Sequence, residues 1–190
     1  MRTFSFGPVL TMKGRKFKGL RGWAGKPFHP PLTALPVAAY SFAAVFDVLS
    51  RSVNDGRGSL GRELYRAGTF VLIAGAVVSV LASLTGWADW HRSSQPGTQA
   101  RRTVNAHAIL MISTTVLVLL DLAWRLTAYP DNPFTPGRVA ALSLVAAVVV
   151  SVGATYGGSL VFDYGFNVET SGDHPVWHES ETDVFPGDPH

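Results

Sequence analysis

Long apolar runs separated by short polar stretches set the pattern of this chain. Four runs are long enough to cross a bilayer, whose core of about 30 Å needs roughly 20 apolar residues in a helix. They cover about residues 31–49, 70–87, 106–124 and 139–156. The second and fourth are uncharged and rich in Val, Leu and Ala. The first contains Pro36 and Tyr40 and reaches to Asp47, and the third is interrupted by Asp121. Lipid offers backbone N–H and C=O groups no partner, so a helix is the state available to these two as well. Pro30 and Pro31 suit a first helical turn, where a missing N–H costs nothing. Gly157-Gly158 predicts the stop of the fourth helix. Asn54-Asp55-Gly56-Arg57-Gly58 and Pro130-Asp131-Asn132-Pro133 carry turn chemistry. The expected fold is therefore all-α, a four-helix transmembrane bundle running up-down-up-down, antiparallel because its loops are short. Small residues four apart predict close helix approach: Gly75, Ser79 and Ser83 on the second helix, Ser143, Ala147 and Ser151 on the fourth. No internal repeat is legible.

Composition sharpens this picture. Only 15% of residues are charged, against about 25% in a soluble domain. The charges gather at the two ends of the chain and in the connections. This predicts a basic arm over residues 1–28, a transmembrane domain over 29–168 and an acidic tail over 169–190. The arm holds Lys13, Arg15, Lys16, Lys18, Arg21 and Lys26. It lacks the unbroken apolar core and small-residue cleavage site of a signal peptide. Its composition suits an anionic membrane surface or a solvated tail. No nucleic-acid-binding signature accompanies it. The chain contains no cysteine, which excludes disulfides, thiolate-held iron–sulfur clusters and thiol catalysis.

Four crossings place both termini and the connection between helices two and three on one side, side A. Side A carries ten of the sixteen Lys and Arg, and the two loops of side B carry six. The positive-inside rule then leans toward a cytoplasmic side A.

Every histidine falls on side A. His29 starts the first helix, His91 lies just beyond the second and His107 opens the third; His174, His178 and His190 lie in the tail. Asp89 joins them in Gly86-Trp87-Ala88-Asp89-Trp90-His91. Ionisable groups near a bilayer are costly and turn to the bundle interior or to water, which makes them functional candidates. A 3.6-residue period aligns His29 with Thr33, Pro36, Tyr40 and Asp47, and His107 with Met111, Thr114 and Asp121. His29 and Asp47 stand roughly 27 Å apart along a helix, so two polar layers are expected, one at each face. The plain alternative is that these groups cap helix ends or meet headgroups.

The residues His29-Pro30-Pro31-Leu32-Thr33-Ala34-Leu35-Pro36 running to Asp47, Gly86-Trp87-Ala88-Asp89 followed by His107, and Gly157-Gly158-Ser159-Leu160-Val161-Phe162-Asp163-Tyr164-Gly165 resemble an uncharacterised bacterial membrane family, domain of unknown function 2231. The similarity covers roughly residues 26–168. It implies a four-helical, multi-pass protein of the bacterial inner membrane with no agreed reaction. Some relatives carry a Rieske-type iron–sulfur domain, which implies redox company; here such a partner would be a separate protein.

Several functions remain open. His29 and His107, with His91 as substitute and Trp87 or Trp90 nearby, are candidate axial ligands of a b-type haem in an electron-transfer subunit. His29, Asp89, His91 and His107 are alternative donors for a transition metal. Asp47, Tyr40 and Asp121 mark a possible proton path in a proton or small-solute transporter. The oppositely charged tails fit a subunit or accessory component of a membrane complex, held by another membrane protein or by its own copies in the bilayer. No phosphate loop, nucleophile elbow or dinucleotide fingerprint occurs, so no catalytic residue is nominated.

Overall fold

The computed structural model describes residues 27–53 and 59–166. The expected basic arm up to residue 26, the turn at 54–58 and the whole acidic tail, with His174, His178 and His190, lie outside the described residues. Four helices follow in order: α1 (His29–Ser52), α2 (Ser59–Ser93), α3 (Gln99–Thr127) and α4 (Gly137–Phe162). All four are long and apolar enough to cross a membrane. Exposed Leu35, Phe42, Phe70, Val77, Leu84, Ile109, Ile112 and Val148 form the outer surface, as expected where lipid replaces water around a bundle.

Local chemistry sets the ends. Pro30 and Pro31 sit in the first turn of α1. Thr98 caps α3 by accepting from the Arg101 backbone N–H at 3.1 Å. Asp131 takes a positive φ of 53° in the connection from α3 to α4, a conformation Asp tolerates in turns. Pro36 lies inside α1, where it removes one helical hydrogen bond.

Helix lengths differ from the sequence expectation at three points. His91 belongs to the last turn of α2 and His107 lies two turns inside α3. Gly157-Gly158 do not stop α4, which continues to Phe162. Polar residues extend α2 and α3 past their apolar runs, which hydropathy alone cannot see, and α4 runs on through its glycine pair.

Helix α1 packs mainly on α2 and α3 on α4; the two hairpins meet chiefly through α1 and α4. His29 meets Ala82 and Gly86 near the end of α2, whereas Ser50 meets Gly61 near its start. The core is Tyr40, Ala43, Leu72, Val118, Leu122, Ala146 and Val150. Ser83 and Ser151, expected at helix contacts, are exposed. Positions four apart drift around a 3.6-residue helix, so the buried rows run instead through Gly68, Gly75, Ser79 and Ala82, and through Ser143, Ala146, Val150 and Gly153.

The hairpins repeat one another in register, although no repeat is legible in the residues. With His29 laid on His107, buried Pro36, Tyr40, Ala43, Ala44 and Asp47 fall on buried Thr114, Val118, Asp121, Leu122 and Arg125. With Gly86 laid on Gly157, buried Gly68, Leu72, Gly75, Ser79, Ala82 and Asp89 fall on buried Val139, Ser143, Ala146, Val150, Gly153 and Leu160. Burial preserves position rather than identity or size, as Gly68 against Val139 and Leu72 against Ser143 show, which hides the repeat from a reading of residues.

Candidate functional site

Two polar layers stand at opposite ends of the bundle. In the first, His29 Nδ1 donates to the Ala82 carbonyl at 2.9 Å, with Thr85 Oγ1 at 3.3 Å. His107 Nδ1 donates to the Gly153 carbonyl at 2.8 Å. A carbonyl can only accept, so Nδ1 carries the proton and in a neutral ring Nε2 carries the lone pair. Each ring also lies against a glycine one turn beyond its acceptor. A Cβ on Gly86 would stand 2.7 Å from His29 Cε1, and one on Gly157 would stand 3.1 Å from His107 Cε1. The same His–carbonyl–glycine unit is thus built twice, once in each hairpin. The acceptor carbonyls belong to small residues, Ala82 and Gly153, over which an imidazole can approach a neighbouring backbone. His29 is within electrostatic reach of Asp89 and His107.

The other candidates of this layer are placed differently. Asp89 is buried in the last turns of α2. His91 is exposed and stacks on exposed Trp87, ring centroids 6.2 Å apart. Trp90 lies under the Arg101 guanidinium, 3.6 Å from its ring centroid, and donates from Nε1 to Asn105 Oδ1 at 2.8 Å. Among the described residues no group of three or more His, Cys, Asp or Glu could hold a metal ion.

The second layer is centred on Arg125, which lies inside α3 and not in the loop that hydropathy predicts. Arg125 is only 1% exposed. Its guanidinium bonds Asp47 Oδ2 through Nη2, Asp121 Oδ1 through Nε at 3.0 Å, Thr69 Oγ1 through Nη1 at 3.1 Å and Ser143 Oγ through Nη2 at 2.9 Å. Asp47 and Asp121 are fully buried. Thr135 Oγ1 donates to Asp47 Oδ1 at 3.0 Å, and Ser50 joins Gly61 to the Thr135 backbone N–H at 2.7 and 2.9 Å. Tyr65 lies beneath the guanidinium at 5.2 Å and donates to the Tyr129 carbonyl at 3.0 Å. All four helices therefore contribute. Hydropathy assigns Arg125 to the loop charges of side B; its spacing of one helical turn from Asp121 is the sequence signal that places it inside.

Between the layers, Tyr40 is 2% exposed with its hydroxyl next to Ser79. Ser79 Oγ donates to its own helix at Ala76, and the Tyr40 hydroxyl makes no hydrogen bond of ordinary geometry.

Four membrane-length apolar helices with ionisable groups gathered inside both ends define an integral membrane protein of the four-helix type. The chain belongs to the DUF2231 family, described as a predicted membrane protein, whose family model matches residues 25–170. No curated protein and no solved structure matches the chain.

Proposed function

We propose that the protein is an electron-transfer subunit of a membrane complex, holding a b-type haem between His29 and His107. The observation that carries this reading is the duplicated histidine unit. Both rings are fixed through Nδ1–H on a backbone carbonyl, the hydrogen bond that orients an imidazole and raises its basicity as an Nε2 ligand. Two such nitrogens complete the coordination of a haem iron, whose other ligands come from the porphyrin. A bare zinc or similar ion would need three or four protein donors, and the described residues do not gather them. The bound group would supply one-electron chemistry; the chain's own part is to orient the two rings and to surround them with helix backbone at Gly86 and Gly157.

Without cysteine the chain holds no thiolate-ligated cluster of its own, so electrons would pass to a separate membrane or membrane-bound redox protein. The excess of Lys and Arg on the histidine side favours a cytoplasmic location for that layer in a bacterial inner membrane.

The test is an absorption spectrum, oxidised and reduced, of the full chain purified in mild detergent after expression with haem precursor. Sharp bands that shift on reduction are expected, present in wild type and lost in both His29→Ala and His107→Ala. A featureless spectrum from folded wild-type protein overturns the proposal.

A further inference from the structure

The second layer contains a proton count that its heavy atoms reveal. Ser143 Oγ lies 2.5 Å from Asp47 Oδ2 and 2.6 Å from Asp121 Oδ2. Both are hydrogen-bond distances between oxygens. A hydroxyl has one proton to give, and an ionised carboxylate only accepts. Two O···O contacts therefore require two protons, of which Ser143 supplies one. Were both aspartates ionised, a Ser143 lone pair would face a carboxylate oxygen at contact distance. Charge leads to the same count. Two carboxylates against one guanidinium leave an uncompensated negative charge in a site where all three side chains are buried, and burying an unpaired charge is among the costliest arrangements a protein can adopt.

We propose that Asp47 and Asp121 hold one proton between them, making this layer a proton-binding site inside the bundle. The proton sits on Asp121 Oδ2. Asp121 then donates to Ser143 Oγ, Ser143 donates to Asp47 Oδ2, and Arg125 Nη2 fills the second Ser143 lone pair at 2.9 Å. This assignment leaves Asp47 as the carboxylate. Its two oxygens receive Thr135 Oγ1 on one side and Arg125 with Ser143 on the other. Asp121 Oδ2 has only a 3.3 Å contact from Arg125 besides Ser143, so it is the oxygen free to carry a hydrogen. The result is a neutral cluster with each Ser143 valence used. The charged and titratable groups around it are Arg125 and Asp121 from α3, Asp47 from α1 and Tyr65 from α2; α4 contributes the uncharged Ser143. Asp121, Ser143 and Asp47 form an acid–hydroxyl–carboxylate relay, along which one proton can move by two concerted transfers with no change in total charge. This site is independent of the histidine pair and of any group bound there.

The experiment is infrared spectroscopy of the full chain in lipid vesicles near neutral pH, in ordinary and heavy water. A carbonyl stretch of a protonated carboxylic acid is expected above the amide band. It should move down in heavy water and move again when the aspartate carboxyl carbon is isotopically labelled. Either Asp121→Asn or Asp47→Asn should abolish it, because the remaining carboxyl must ionise to balance Arg125. Asp163→Asn, at an exposed position, should leave it in place. Absence of the band in labelled wild type overturns the proposal without recourse to any variant, and so does a band that persists in both Asn variants.

Discussion

The two ends of the bundle use polar groups in opposite ways. At the Arg125 end, one guanidinium gathers side chains from all four helices, and every oxygen around it is engaged. At the histidine end, the hydrogen bonds of each ring among the described residues stay within its own hairpin, His29 to α2 and His107 to α4. The first arrangement locks hairpin to hairpin. The second sets two basic nitrogens in equivalent places without spending them on that lock. The difference lies in what the matched positions of the two hairpins carry: Asp47 and Arg125 are opposite in charge and neutralise each other, whereas the matched His29 and His107 are identical and cannot.

The largest expected effect is at the locked end. Arg125→Ala leaves two buried aspartates without their cation, and breaking a buried ion pair in this way costs about 3–5 kcal/mol. Denaturation in mixed micelles should show that loss, and a variant as stable as wild type would end the view of this layer as the lock. Gly86→Ala and Gly157→Ala come next. Overpacking costs about 1–3 kcal/mol, and Gly86 should suffer more because its added Cβ meets His29 at 2.7 Å against 3.1 Å for Gly157 and His107. Equal thermal shifts for the two variants would contradict the placement of the rings.

A smaller loss is expected at the histidines. Removing one interhelical hydrogen bond in a membrane bundle costs on the order of 0.6 kcal/mol, so His29→Ala and His107→Ala should stay folded while losing any bound haem. If either destabilised the bundle as much as Arg125→Ala, the histidine layer would be a second lock. The smallest change is Tyr40→Phe. Its hydroxyl has no partner of ordinary geometry, and removing an unsatisfied polar group is neutral or stabilising. A marked loss of stability would reveal a partner for that oxygen, and with it a link between the layers through Ser79.

Much of this was legible along the chain. The four crossings follow from run length, and the inward stripes through Tyr40 and Asp47 and through Thr114 and Asp121 follow from helical period; all four of these residues are buried. The grouping of His29 and His107 at one end follows from counting crossings. Hydropathy misses Arg125 because the apolar run ends at residue 124, one position short of it, although α3 continues to Thr127. Gly157 was read as a helix stop because glycine does end helices, whereas here the missing side chain makes room for His107.

The sequence by itself determined the membrane, the helix count and which face of α1 and α3 turns inward, since these depend on length and period along one chain. Only the tertiary structure decided which polar groups meet. Whether Asp47 finds Arg125, whether Ser143 stands between two carboxyls, and whether two imidazoles repeat one environment depend on how helices far apart in sequence are rotated against each other. That rotation is set by the packing of small residues such as Gly75, Gly86 and Gly153 against the side chains opposite them, a pairwise property that no single run of residues contains.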